Sequence, residues 1–278
     1  MRIAVTGGNG DLGSVLVPYL LSQGHDVVSI DRSVPPPGTH SSDRAAHYLV
    51  ADVTDFGQFA GCLRGCDALV HLAAIRAPWG HPDHEVYRVN TISSYNALSA
   101  ASLVGIERVC LASSINAIGG VFSQQPHYDY FPLDEAHPSY TEDPYSLSKW
   151  VLEQQADAFV RRFPKLRVGS LRFHWILPDE AVAREKTVEN DHFSWRHLWA
   201  FTNARAAARA CLLTLTANFS GHEAFYIVAP RTATDELSRD LAQRYFPETP
   251  IRTALTGHAG FFSTAKAERI LGWKHDEE

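Results

Sequence analysis

The sequence predicts an α/β protein, a parallel sheet wound on both sides by helices with a small C-terminal lobe interleaved with it. Three observations carry this. The first 30 residues run strand, glycine turn, helix, strand. The segment Ala68-Leu69-Val70-His71-Leu72 is almost uninterrupted in its apolar character, as befits a strand covered on both faces. Strand-like and helix-like segments then alternate regularly as far as Phe173.

The elements follow in order. Arg2-Ile3-Ala4-Val5-Thr6 is a short apolar strand stopped by Gly7-Gly8-Asn9-Gly10. Residues 12–22 put Leu12, Val15, Leu16, Tyr19 and Leu20 on one helical stripe, and Gly24 ends that helix. Residues 26–30 form the second strand, after which Pro35-Pro36-Pro37 makes a stiff loop. Residues 47–50 are a candidate strand, 56–64 a helix, 68–72 the fourth strand and 90–104 a helix. Residues 108–112 give the next strand, 145–162 a long helix and 167–173 another strand. Beyond Phe173 the rhythm changes, and 174–200 hold Trp175, Trp195 and Trp199 among polar and charged residues. An alanine-rich helix over 203–215 and a strand over 224–228 resume the pattern before a tail of short mixed pieces.

Composition narrows the function classes. Lys and Arg total 25 against 31 Asp and Glu, a net charge of −6, which disfavours nonspecific binding to nucleic acid. No apolar run reaches the roughly 18 residues that would span a bilayer, and Met1-Arg2-Ile3-Ala4-Val5 runs into glycines with no signal-peptide pattern. A soluble, cytoplasmic protein is expected. Cys62, Cys66, Cys110 and Cys211 are too scattered for a disulfide framework. The histidines, among them His81, His84, His192 and His197, fall at no ligand spacing, so no metal is expected. Without an export signal, Asn218-Phe219-Ser220 is not expected to be glycosylated.

Thr6-Gly7-Gly8-Asn9-Gly10-Asp11-Leu12-Gly13 follows a buried strand, opens an amphipathic helix and precedes a strand ending in Asp31. That context is what a dinucleotide-binding fingerprint requires. Gly7 permits the tight turn, Gly10 the close approach of a pyrophosphate and Gly13 the packing of helix on strand. Asn9, Asp11 and Leu12 complete the loop, and the helix N-terminus favours the phosphates. Asp31 stands near the offset of about 20 residues at which an acid accepts hydrogen bonds from the adenine ribose. Its carboxylate would repel a 2′-phosphate and favours NAD over NADP, although Arg32 beside it could pair with that phosphate. Asp52, after the third strand, is placed to reach the adenine, with Val53 beside it. The chain therefore reads as a Rossmann-type NAD domain over 1–173, to which 203–230 returns, with a substrate lobe formed by 174–202 and 231–278.

Asp143-Pro144-Tyr145-Ser146-Leu147-Ser148-Lys149 opens a helix, with Asp as cap and Pro in the first turn. Tyr145 and Lys149 then share one face, one turn apart. A phenol titrates near 10, so a base acting near pH 7 needs a shift of roughly 3 units; the Lys149 cation and the helix N-terminus are expected to lower it. Lys149 could also hold a cofactor ribose. The strand over 108–112 runs into Ser113-Ser114, at the same sheet edge as the glycine turn. Ser114 could there bond the substrate oxygen that Tyr145 protonates or deprotonates. Asn90 holds backbone or a water near the site, or caps its helix.

These motifs resemble the extended short-chain dehydrogenase/reductases of the NAD-dependent epimerase/dehydratase family. The matching pieces are residues 6–13, Asp31, Asp52-Val53, His71-Leu72-Ala73-Ala74, Ser113-Ser114, 145–149, Leu171-Arg172-Phe173 and 266–273. The resemblance implies a Ser114–Tyr145–Lys149 triad with Tyr145 as acid/base. It also implies that Leu72, Ala73 and Ala74 line the cofactor, and that the chain dimerises through 90–104 and 145–162. The chain after Phe173 is short for a nucleotide-sugar epimerase, and Ile118 stands where those enzymes commonly have tyrosine. It is similar instead to the uronate-dehydrogenase-like branch, in which the position of Arg196 holds a sugar carboxylate; a solvated surface arginine is the other reading. Arg76 is a second candidate for the carboxylate. Ile115-Asn116 stands where that branch has Asn-His, which leaves Asn116 as a substrate contact, while Trp175 and Trp199 are either walls against the sugar or core. Asn203 and Ala206 replace aspartates common elsewhere in the family. Three readings follow: an NAD-dependent sugar or sugar-acid dehydrogenase, an epimerase that retains its NAD, and a non-catalytic NAD sensor.

Overall fold

The computed structural model describes residues 1–35 and 46–276, so Pro36 and Pro37 of the expected stiff loop lie outside the described residues. The first half runs β1 (Arg2–Thr6), α1 (Gly13–Ser22), β2 (Asp26–Asp31), β3 (His47–Val50), α2 (Phe56–Cys62), β4 (Ala68–His71), α3 (Asp83–Val104), β5 (Arg108–Ser114), α4 (Pro144–Arg162) and β6 (Arg167–Phe173). The remainder runs β7 (Ile176–Leu177), α5 (Glu180–Glu189), α6 (Asp191–Ser194), β8 (Thr202–Asn203), α7 (Ala204–Thr216), β9 (Gly221–Ile227), α8 (Ser238–Tyr245) and α9 (Ala265–Leu271). Seven strands pair in parallel in the order β3-β2-β1-β4-β5-β6-β9, while β7 and β8 form a separate pair. The chain winds outward from β1 to β3 and then crosses to β4, so the order reverses between β1 and β4. At such a reversal a crevice opens at the carboxyl ends of the strands.

Side chains alternate between two helical layers, as the two-residue period of a strand demands. Ile3, Val5 and Val70 point into a core shared with α1 and α7. Ala4, Leu69 and Leu111 point into the opposite core, against Phe59 of α2, Ala97 of α3 and Leu152 of α4. A third cluster, built on Phe131, Trp199, Tyr226, Phe246 and Phe261, fills the lobe. Trp199 is therefore core and not a wall of the site. Among the described residues no helix is long and apolar enough to cross a membrane.

Two boundaries differ from the sequence reading in ways that matter for the site. The helix expected over 90–104 starts at Asp83, because Pro82, held at φ −60° and ψ 145°, launches it and Asp83 and Glu85 face its positive end. Asn90 thus lies inside α3 and caps nothing. The strand expected over 108–112 runs on through Ser114, which holds both serines on the sheet. In contrast, α4 begins where its signals say. Asp143 accepts the Ser146 N–H at 2.9 Å and Pro144 occupies the first turn, a cap worth about 1 kcal/mol.

Candidate active site

One cleft of about 850 Å³ runs along the carboxyl edge of the sheet, from Asp31 and Asp52 at one end to Trp175 and His197 at the other. Gly7, Asn9, Gly10, Asp11, Leu12, Arg32, Val53, Leu72, Ala73 and Ala74 all line it, together with Ser114, Asn116, Tyr145, Lys149 and Arg76. Asn90 and Arg196 do not.

At the glycine end the backbone is packed too closely for side chains. A Cβ on Gly7, whose φ is 70°, would stand 2.9 Å from the Ala73 nitrogen, and one on Gly13 would meet the Gly7 carbonyl at 2.2 Å. This contact brings the start of α1 and the backbone after β4 together as the two lips of the cleft. Thr6 fixes the second lip. Its hydroxyl accepts the N–H groups of Leu72 and Ala73, each at 3.2 Å, leaving its own O–H to donate to His71 Nδ1 at 2.8 Å. Burial, aided by Lys149, pushes His71 down to about 3, so it stays neutral and can accept that bond. Asp31 accepts the backbone N–H groups of Asn9 (3.0 Å) and Arg32 (2.7 Å). A carboxylate has about four acceptor positions, so capacity remains for two ribose hydroxyls. Asp52 is tied by Thr54, whose N–H and hydroxyl donate at 2.8 and 2.7 Å, and these bonds hold its pKa low. A helix N-terminus, a close backbone turn and a free-sided carboxylate fit a dinucleotide.

Asn90 acts at one remove. Its Oδ1 accepts the Ile75 N–H at 2.8 Å, and its Nδ2 donates to the Ile75 carbonyl and the Ser148 hydroxyl, each at 3.0 Å. Of its expected readings it is the backbone one that the structure shows: Asn90 does not line the cofactor cleft and clamps the loop after β4 to α4.

Tyr145, Lys149 and Glu153 form a rail along α4, one turn apart. Glu153 accepts the Ser113 hydroxyl at 2.6 Å and a fork from Arg172 at 3.0 and 2.8 Å. Lys149 donates to the Ala112 carbonyl at 2.6 Å, with its Nζ 5.6 Å from the Tyr145 ring centre. Phe122 packs edge-on against the Tyr145 ring at 5.7 Å. The phenol is not lowered as the spacing alone suggested. Burial pushes it up to about 12, the Ser114 hydroxyl and Arg76 pull it partly back, and Asp143 pushes it further up. Burial likewise brings Lys149 down to about 8, against the attraction of Glu153. Desolvation at this depth outweighs the i, i+4 neighbour.

The expected carboxylate holders are otherwise engaged. Arg196 donates to the carbonyls of Ser123 and Gln124 and lies over the Trp195 ring at 4.9 Å. It is a clamp on the 123–124 loop and is withdrawn as a substrate residue. Arg76 pairs with Asp11 across the mouth of the cleft. Trp175 does line the cleft, stacked on His197 at 5.1 Å. His174, Val121 and Phe122 line this end too and were missed, since no spacing or periodicity marks them. Among the described residues no group of three or more His, Cys, Asp or Glu could hold a metal ion.

The model of the NAD dependent epimerase/dehydratase family matches residues 3–190. The chain belongs to this family. Among curated members it is 28% identical over 182 residues to a dTDP-6-deoxy-L-talose 4-dehydrogenase (NAD(+)) of Aggregatibacter actinomycetemcomitans, a match covering 65% of this chain and 63% of that one. The chain spans less than two thirds of the length of the curated relatives it matches. Its fold is that of the UDP-glucose 4-epimerase of Thermotoga maritima, with a TM-score of 0.74 at 21% identity, covering 100% of this chain and 94% of the other. It is also that of a mutated uronate dehydrogenase, with a TM-score of 0.71 at 19% identity, covering 100% and 82%. The epimerase/dehydratase family is NAD dependent, and NAD is the cofactor that the cleft fits.

The Asp31 carboxylate sets a testable preference within the family. Asp31→Ala is expected to weaken NAD binding by about 10- to 100-fold, the worth of one or two charge-assisted hydrogen bonds, and to weaken NADP far less. Parallel titrations with the two cofactors check this; a larger loss for NADP would reverse the assignment.

Proposed function

We propose that this member of the epimerase/dehydratase family is an NAD-dependent dehydrogenase that oxidises a hydroxyl of a small sugar-type substrate. The observation that carries the reading is the convergence of Ser114, Tyr145 and Lys149 on the cleft that Gly7 and Asp31 enter from the other end. NAD, when bound, supplies the acceptor for the hydride. The chain supplies the proton handling and the positioning. Tyr145 takes the hydroxyl proton of the substrate in oxidation and returns it in reduction. The single O–H of Ser114 favours the Tyr145 phenolate before substrate arrives and donates to the same substrate oxygen once it is bound. Lys149, fixed on the Ala112 carbonyl, keeps one wall rigid and presents an ammonium beside the ring. Phe122 and Trp175 shelter the substrate end from water. A Ser114, Tyr145 and Lys149 set gathered on the cofactor cleft is redundant in a protein that only senses NAD, which favours the enzymatic reading over the sensor.

The test is incubation with NAD and a panel of free sugars and uronic acids. NADH appearing in step with oxidised sugar supports the dehydrogenase; isomerised sugar without net NADH makes the protein an epimerase; firm NAD binding with no reaction on the whole panel makes it a sensor. The sign of the phenol shift adds a pH prediction. Below about 12 the phenol holds its proton, so the base form grows about tenfold per pH unit while the acid form stays full. Oxidation is therefore expected to quicken with pH through the neutral range and to rise less steeply above about 8, where Lys149 loses its charge, with reduction nearly flat below that pH. Rate–pH profiles in both directions check it, and an oxidative rate that levels off near pH 7 contradicts it.

A further inference from the structure

The substrate end of the cleft holds polar atoms that the fold leaves unmatched. His174 is 3% exposed and lines the cleft, yet neither Nδ1 nor Nε2 makes a well-formed hydrogen bond, the His197 backbone being close enough only to act weakly on its charged form. The buried Oδ1 of Asn116, also a lining residue, has none either. Buried polar atoms are normally paired, so two orphaned side chains on one wall ask for a ligand. Their place is set by the sheet: Phe173 pairs in register with Ser114, and His174 follows it directly.

The backbone secures the other side. His197 meets His174 edge-on at 5.4 Å and stacks on Trp175 at 5.1 Å. Directly after it, Leu198 and Trp199 both sit in the left-handed region, at φ 53° and 50°. Such strain in two non-glycine residues persists only where packing enforces it, and here Leu198 and Trp199 are buried in the lobe core. The lobe thus holds His197 in place behind His174.

From Phe173 to Leu177, and at Val121, Phe122 and His197, the lining carries no charged side chain; the cationic lining groups Lys149 and Arg76 act at Tyr145 instead. The acidic lining residues of the cleft, Asp11, Asp31, Asp52 and Glu85, stand on the glycine turn, the ends of β2 and β3, and the start of α3. Of the lining arginines, Arg76 pairs with Asp11 and Arg88 with Glu85, and Arg32 adjoins Asp31. Burial first, then His197, hold His174 well below its ordinary value, and burial holds His197 down to about 4. A neutral imidazole offers one donor and one acceptor, and a carbonyl oxygen such as Asn116 Oδ1 only accepts. Neutral sugar hydroxyls, which both donate and accept, match this set: one accepts from the imidazole N–H, and others donate to the free ring nitrogen and to Asn116 Oδ1. A carboxylate, which only accepts, would face two unmatched lone pairs.

We propose that His174 and Asn116, with His197 behind them, form an uncharged specificity subsite that recognises neutral hydroxyls of the substrate and selects a neutral sugar over the corresponding uronate. The proposal rests on the dehydrogenase reading for its place in the reaction but makes a binding claim of its own. A site built to bond a hydroxyl discriminates strongly when its buried polar groups go unpaired.

The test uses D-glucose, D-galactose and D-xylose against D-glucuronate and D-galacturonate, with the intact protein saturated with NADH for binding and NAD for turnover. Binding is read from the tryptophan fluorescence, which Trp175 reports. Neutral sugars are expected to bind at least about tenfold more tightly than the uronates. His174→Phe, of similar size, is expected to lose about 10- to 100-fold of that binding and to raise KM with little change in kcat. His174→Gln, which keeps a donor and an acceptor, is expected to recover part of the loss, a rescue that a purely structural role would not show. Uronates bound more tightly, no neutral sugar bound, or His174→Phe binding as wild type would each overturn the subsite. Neutral-sugar binding that depends on His174 but yields no turnover would overturn the dehydrogenase reading and leave the subsite standing.

Discussion

Replacing Tyr145 by phenylalanine is expected to lower turnover by roughly 100- to 10,000-fold, the range for loss of a positioned acid or base, with NAD affinity almost unchanged. The ring would still pack edge-on against Phe122 and keep its place beside Lys149; only the oxygen proposed to handle the proton is gone. Steady-state kinetics and a cofactor titration on the same preparation separate the two effects. Near-normal turnover would show that the proton passes elsewhere and would remove the central role given to this side chain. A large loss of NAD affinity would show instead that the phenol mainly holds the cofactor.

Arg172→Met is expected to destabilise the protein by about 3–5 kcal/mol, because it leaves the buried Glu153 carboxylate without its fork of donors, with only the Ser113 hydroxyl and the Lys149 charge to offset it. The side chains of Arg172 and Glu153 are 7% and 5% exposed, and the guanidinium also lies over the Tyr226 ring at 5.2 Å. For a chain of this size the loss corresponds to a fall in Tm of roughly 10 °C. The double change Arg172→Met with Glu153→Leu removes both charges and is expected to recover most of the stability, since a buried pair often contributes little beyond an apolar replacement of similar volume. Thermal and urea unfolding of the three proteins check this. A single variant as stable as the parent would mean that water reaches the pair. The double variant is also expected to lose activity, as Ser113 is then no longer tied to α4.

Much of this architecture is legible from local chemistry. The glycine turn, Asp31, and the cap-proline-tyrosine start of α4 each carry their signal within a few residues, and the structure places them on one cleft. What sequence spacing could not convey is depth. The interval from Tyr145 to Lys149 fixes their adjacency, but the sign of the phenol shift depends on burial, which tertiary packing decides. The start of α3 was missed because Pro82 launches it by backbone geometry alone and, in its first turn, only Val86 is buried. His174 and His197 belong to segments without periodicity and meet through the pairing of Ile176 with Thr202. Arg196 looked free for a substrate because nothing in the sequence shows that the Ser123 and Gln124 carbonyls turn toward it.

The rail on α4 has a consequence for how such a protein can diversify. Lys149 and Glu153 of that rail are anchored to the sheet through Ala112, Ser113 and Arg172, whereas His174, Trp175 and His197 come from chain lying past the end of β6. Apart from Asn116, which lies just past Ser114 and the end of β5, the proposed chemistry and the choice of what undergoes it are thus written in separate stretches of polypeptide. Drift in the second stretch can retune selectivity while the first remains intact, so a new preference need not pass through an inert ancestor.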